Sequence, residues 1–85
     1  MSHISYFRVI TENKELHEKY YTFFREFDLE RAIVRSCQYM AECAVDCGHL
    51  TEENPELAAQ SGWTFHVEEV SLEEFFEATH NKGVE

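Results

Sequence analysis

Leu16-His17-Glu18-Lys19-Tyr20-Tyr21-Thr22-Phe23-Phe24-Arg25-Glu26-Phe27 is the stretch on which the fold turns. Leu16, Tyr20, Phe23, Phe24 and Phe27 recur at i, i+4, i+7, i+8 and i+11, the spacing of one helical face. With Thr11 or Asn13 as N-cap, they predict an amphipathic helix of about four turns.

Upstream, Ile4 to Ile10 alternates instead: Ile4, Tyr6, Arg8 and Ile10 on one face, Ser5, Phe7, Val9 and Thr11 on the other. That period and the β-branched and aromatic content predict a strand. Downstream, Leu29, Ile33, Cys37, Met40, Ala44 and Cys47 form a second helical stripe. At 100° per residue it lies roughly 130° from the first, so one straight rod would present two apolar faces in different directions. A break at Phe27–Asp28 resolves the conflict, with Asp28 as N-cap of a helix to Cys47 and Gly48 following it.

Asn54 as N-cap, Pro55 at the first helical position and Gly62 after the end bracket a short helix. Trp63 to Val70 alternates, with Trp63, Phe65 and Val67 opposite Thr64, His66 and Glu68, and predicts another strand. Ser71-Leu72-Glu73-Glu74 is a capping box, with Val70 and Phe75 as its hydrophobic staple. The last helix is expected to turn Leu72, Phe75, Phe76 and Thr79 inward and to end before Gly83. The expected fold is thus α+β: a small, helix-rich single domain over residues 1–85, in the order β-α-α-α-β-α, with a minor two-stranded sheet. An uncapped sheet edge would invite a second copy, so a homodimer is expected.

Composition narrows the function classes. The chain has 85 residues, 44% of them hydrophobic, which suits one thin core. No apolar run approaches the roughly 18 residues of a membrane span. Met1 and the residues after it lack the basic and apolar regions of a secretory signal, and three cysteines crowded between Cys37 and Cys47 suit reduced thiols, so a cytoplasmic location is expected.

Charge is the most informative property. Seventeen acids against seven bases give a net charge of −10, which argues against direct binding to nucleic acid. Residues 1–35 balance six bases with six acids, whereas residues 36–81 hold no Lys or Arg and ten acids, from Glu42 to Glu77. Such a segment attracts a basic protein surface. Solvation alone also accounts for an acidic face. The functional reading is a non-enzymatic protein-binding module, by analogy of size and charge with phage-type inhibitors that compete with nucleic acid for a basic partner. Its candidate partner-binding residues are Glu52, Glu53, Glu56, Glu68, Glu69, Glu73 and Glu74.

The alternative is a zinc-stabilised small domain, since Cys43 and Cys47 share a helix face at i, i+4 and His49 follows. Those cysteines also lie on or beside the apolar stripe, where small core residues are the simpler explanation, and neither a metal nor a cofactor is assigned. Catalysis lacks a motif: there is no Gly-rich phosphate loop, GxSxG or HExxH, and Glu68 and Glu69 alternate to opposite strand faces.

Overall fold

A computed structural model describes residues 3–84; Met1, Ser2 and Glu85 lie outside the described residues. The elements are β1 (Ser5–Asn13), β2 (Glu18–Glu26), α1 (Leu29–Asp46), α2 (Pro55–Gln60), β3 (Trp63–Val70) and α3 (Leu72–Val84). The strands make one antiparallel sheet in the order β2-β1-β3. The class is mixed α/β as expected, but the order is β-β-α-α-β-α and the sheet has three strands.

The expected helix over Leu16–Phe27 is instead a tight turn and β2. Tyr20-Tyr21-Thr22-Phe23-Phe24 contains only aromatic and β-branched residues, which lose side-chain freedom in a helix and fit a pleated surface. The misleading helical spacing arises because β2 carries apolar residues on both faces. Tyr20 stacks with Trp63 and Phe24 with Phe7 on the helix-covered side, while Tyr21 and Phe23 alternate to the other. Lys14-Glu15-Leu16-His17 makes the turn without a glycine, through bonds from Leu16 N–H to the Asn13 carbonyl and from His17 N–H to the Lys14 carbonyl, 3.2 Å each. His17 takes the left-handed conformation at φ 58°, as the last residue of longer hairpin loops often does.

β1 is the central strand, and its inner face of Phe7, Val9, Thr11 and Asn13 is fully covered. The cover is α1, started by Asp28, whose Oδ1 accepts from Arg31 N–H at 2.8 Å. It buries Ala32, Ser36, Met40, Ala41 and Ala44. Toward its N-terminal half, Ala32 packs with Phe7, Val9 and Phe24; toward its C-terminal half, Met40 and Ala44 pack with Trp63 and with Ala58 of α2.

The expected stripe therefore holds only in part. Met40 and Ala44 are buried and Cys37 and Cys47 half-buried, but Leu29 and Ile33 remain 53% and 43% exposed. α2 covers that side of the helix only around Met40 and Ala44, and small Ala32 and Ser36 take the seat on the sheet.

The short helix and β3 match their expected positions. Asn54 Oδ1 accepts from the Glu56 and Leu57 amides, and Ser71 Oγ accepts from Glu74 N–H at 3.1 Å. α3 crosses the outer sheet face by a narrow stripe: Phe75 lies 4.8 Å from Tyr6, ring to ring, and Ala78 is half-buried. Leu72, Phe76 and Thr79 face outward, against expectation, because α3 meets the sheet through the narrow stripe that holds Phe75 and Ala78. The helix also continues through Gly83 to Val84, where a terminal glycine breaks little hydrogen bonding.

Asn13, fully buried, joins three segments. Its Nδ2 donates to the Ser61 carbonyl at 3.1 Å, its Oδ1 accepts from Leu16 N–H at 3.2 Å, and its amide lies against Gly62, where a Cβ would come within 3.3 Å of Nδ2. Gly62 has φ +100°, so a side chain there is strained as well as crowded. Asn13→Ala leaves the Ser61 carbonyl to find a new partner, while Leu16 N–H keeps the backbone carbonyl of residue 13, and is expected to lower unfolding free energy by about 1–3 kcal/mol in urea titration. Asn13→Asp, which sets a carboxylate oxygen against the Ser61 carbonyl and buries a charge, should cost more than Asn13→Ala.

Candidate partner-binding surface

The strand register gives the molecule two ends. Asn13, Glu18 and Trp63 stand at one, beside the β1–β2 turn; Tyr6, Arg25 and Val70 stand at the other. Trp63 and Val70 are separated by about 23 Å along β3 at roughly 3.3 Å per residue. The candidate glutamates divide between these ends. Glu52, Glu53 and Glu56 lie in the loop and short helix leading to Trp63, all exposed. Glu68, Glu69, Glu73 and Glu74 lie around the β3–α3 corner at the far end.

The two groups differ in their neighbours. Every arginine sits toward the Tyr6–Val70 end. Arg8 is ion-paired with Glu68 and lies 3.7 Å from Glu74, Arg35 reaches Glu26 at 3.4 Å, and Arg31 lies 3.9 Å from Asp28. Glu68 and Glu74 are thus engaged within the molecule, while Glu69 and Glu73 are exposed beside them. At the Trp63 end, none of Glu52, Glu53 and Glu56 has an ion-pair partner among the described residues.

Four further acids join that end, Glu12, Glu15, Glu18 and Asp46, and charge counting by sequence halves missed the first three. Glu12, Glu15 and Glu18 belong to the balanced N-terminal half, but the hairpin carries them to the Trp63 end. Asp46 ends α1 and lines a depression of about 300 Å³ with Tyr20, Tyr21 and Cys43. α1 also ends here with no basic residue in its last turn, so its partial negative charge adds to the carboxylates. The counter-charges are Lys14 and Lys19, with Lys19 lying over the Tyr21 ring at 5.8 Å. Only an unexpected hairpin could have brought these acids together, and no spacing in the sequence signals it.

A buried polar framework holds this end in place. Trp63 is 2% exposed, and its Nε1–H donates to His49 Nδ1 at 3.0 Å. Thr11 Oγ1–H donates to Cys43 Sγ at 3.2 Å, and Cys47 Sγ–H points to the Ala44 carbonyl at 3.6 Å. Burial pushes the Cys43 thiol pKa up, the Thr11 hydrogen bond opposing it and Asp46, Cys47 and Glu42 adding to the rise. A protonated thiol is a poor metal ligand and nucleophile. His49 keeps only Nε2 free, and among the described residues no three His, Cys, Asp or Glu side chains gather as a metal would require. All three cysteines are free.

Tyr21 is exposed on the outer sheet face, while Tyr39 packs against Phe24. Among the described residues, no helix is long and apolar enough to cross a membrane. Comparison with protein-family models, with curated proteins and with solved structures finds no match to the chain.

Tyr20 reports on this end through its own titration. Its hydroxyl donates to Glu18, and that bond, then burial and the Glu18 charge, push its pKa up to about 12. An unfolded tyrosine releases its proton near pH 10, so between about 10 and 12 the folded state holds a proton that the unfolded state has lost. Stability contributed by this group is complete below about pH 10 and is lost as pH rises through that window. Urea midpoints measured across it should fall less steeply for Tyr20→Phe than for the parent.

Proposed function

We propose that the chain is a non-enzymatic binding module that docks on a basic protein surface through its Trp63 end. In this reading its carboxylates take the positions that nucleic-acid phosphates would occupy, and the protein competes with nucleic acid for its partner. The observation that carries the reading is the separation of charge: Glu15, Glu18, Asp46, Glu52, Glu53 and Glu56 share the end that no arginine reaches, where Lys14 and Lys19 are the cations. Glu69 and Glu73 are then peripheral, and Glu68 and Glu74 serve the fold through Arg8.

Asp46 adds weight because it stands where it costs stability. A carboxylate in the last turn of a helix opposes the helix dipole by about 0.3–1 kcal/mol, and no basic neighbour in that turn offsets it. Retaining acids that repel one another and the helix end fits a surface kept for an outside cation, and a rigid frame beneath them limits the entropy lost on docking.

Two experiments test the reading. Partner captured from the source cell by the parent chain should be lost when Glu52, Glu53 and Glu56 are changed to Lys, should elute with rising salt, and should be displaced by duplex DNA. Retention by the triple variant, or elution insensitive to salt, would sink the proposal. Asp46→Lys should separate stability from binding: thermal or urea unfolding shifts upward by about 0.5–1 kcal/mol while affinity for the same partner falls. An unchanged affinity would make Asp46 part of a merely solvated face.

A further inference from the structure

We infer that two copies of this chain join through the free edge of β3, making a continuous six-stranded antiparallel sheet about a two-fold axis at Val67. The sheet order β2-β1-β3 leaves both outer strands with one unpaired edge, each eight or nine residues long. Long open edges pair with other strands unless something blocks them. Which edge pairs, and with what, follows from parity and charge.

In an antiparallel sheet, residues directly opposite share a face, so two copies of one strand pair only in registers that match odd with odd and even with even. For β2, the register that pairs all nine residues is centred on Thr22. It sets Glu18 against Glu26 and Lys19 against Arg25, like charges at every charged position, and its seven-residue registers, centred on Tyr21 and Phe23, set each charge against an aromatic ring and supply no polar cross-strand pair. For β3, eight residues leave two registers of seven. The one centred on His66 places the two imidazoles opposite each other. The one centred on Val67 places His66 opposite Glu68 twice, Phe65 opposite Glu69 twice, Thr64 opposite Val70 twice, and Val67 opposite itself.

His66 is exposed and already leans 3.6 Å from Glu68 in its own chain, so it has an acceptor on either side of the seam. Glu68 is held by Arg8, which fixes the carboxylate that the second copy would meet. The inner face of the edge is under-covered in the matching place. Phe65 and Val67 are only half-buried although they point beneath α1, and Leu29 and Ile33 lie exposed on the side of α1 that Met40 and Ala44 turn toward β3. A second copy brings its own Val67 to that gap, with its Glu69 opposite Phe65. Each copy carries −10, and the antiparallel seam sends the two acidic ends to opposite extremities of the dimer, where they repel least and both remain open.

Sedimentation equilibrium of the full chain tests this with two variants on the outer sheet face. His66→Glu faces Glu68 twice and should weaken the dimer roughly tenfold or more, through two lost and two repulsive cross-strand pairs. Lys19→Glu, on β2, changes the net charge more and should leave the dimer intact. Hydrogen exchange on the parent, which depends on no substitution, should show β3 amides slowing with protein concentration while β2 amides do not. A parent chain that stays monomeric at several hundred micromolar overturns the inference, as does concentration-dependent protection at β2, or equal weakening by both variants. Loss of the basic partner in the experiments above leaves this result untouched.

Discussion

One helix must cover a three-stranded sheet, and small side chains let it do so. Ala32, Ser36, Ala41 and Ala44 are completely buried, and they let α1 sit close over Phe7, Val9 and Trp63, the bulky residues of the inner face. Bulk in the sheet and smallness in the helix is one solution to interdigitation at native packing density. Ser36 fits this seat at little expense because its hydroxyl donates to the Ala32 carbonyl, 2.7 Å away within the helix. The same geometry dictates what stays outside: with alanine and serine against the sheet, Leu29, Ile33 and Val34 stay exposed.

The two ends of the molecule inherit different physics from that arrangement. At the Tyr6–Val70 end, arginine guanidinium groups lie over aromatic rings, Arg31 over Phe27 and Arg35 over Phe24, and also meet carboxylates. These pairs are mostly exposed, so each adds little to stability. At the Trp63 end the acids have no ion-pair partner among the described residues, and the weight falls on neutral hydrogen bonds: Asn13 to Ser61, Thr11 to Cys43, Trp63 to His49. Neutral bonds of this kind do not compensate surface charge, so they fix the backbone beneath the carboxylates without spending the field above them.

Much of the fold was legible where a local signal and tertiary packing agree. Asp28, Asn54 with Pro55, and Ser71 with Glu74 each satisfy amides at a helix start, a demand that holds whatever the rest of the chain does. Trp63–Val70 alternates because it lies on a sheet with distinct faces. β2 was illegible for the converse reason: as an edge strand with aromatic residues on both faces it has no clean period of two, and its turn, Lys14 to His17, holds neither Asn-Gly nor any other glycine. The stripe on α1 misled at Leu29 and Ile33 because apolar periodicity marks what a helix offers and not what another element covers. The candidate surface was half legible on the same account. Glu52, Glu53 and Glu56 follow from composition, but Glu15 and Glu18 join them only through the hairpin.

The aromatic run in β2 also explains why the hairpin, once formed, holds against the helical alternative. As a helix, Leu16–Phe27 would bury one stripe and leave Tyr21 with no neighbour, while β1 would lose a strand partner along nine residues. As a strand it supplies β1 with a full ladder of backbone bonds, stacks Phe24 on Phe7 and Tyr20 on Trp63, and sends the Tyr20 hydroxyl to Glu18. The strain at His17, of order 1–3 kcal/mol for a left-handed non-glycine residue, is small against that gain. Local propensity and tertiary pairing therefore favour the strand together, and the helical spacing that opposes them is a by-product of having two apolar faces.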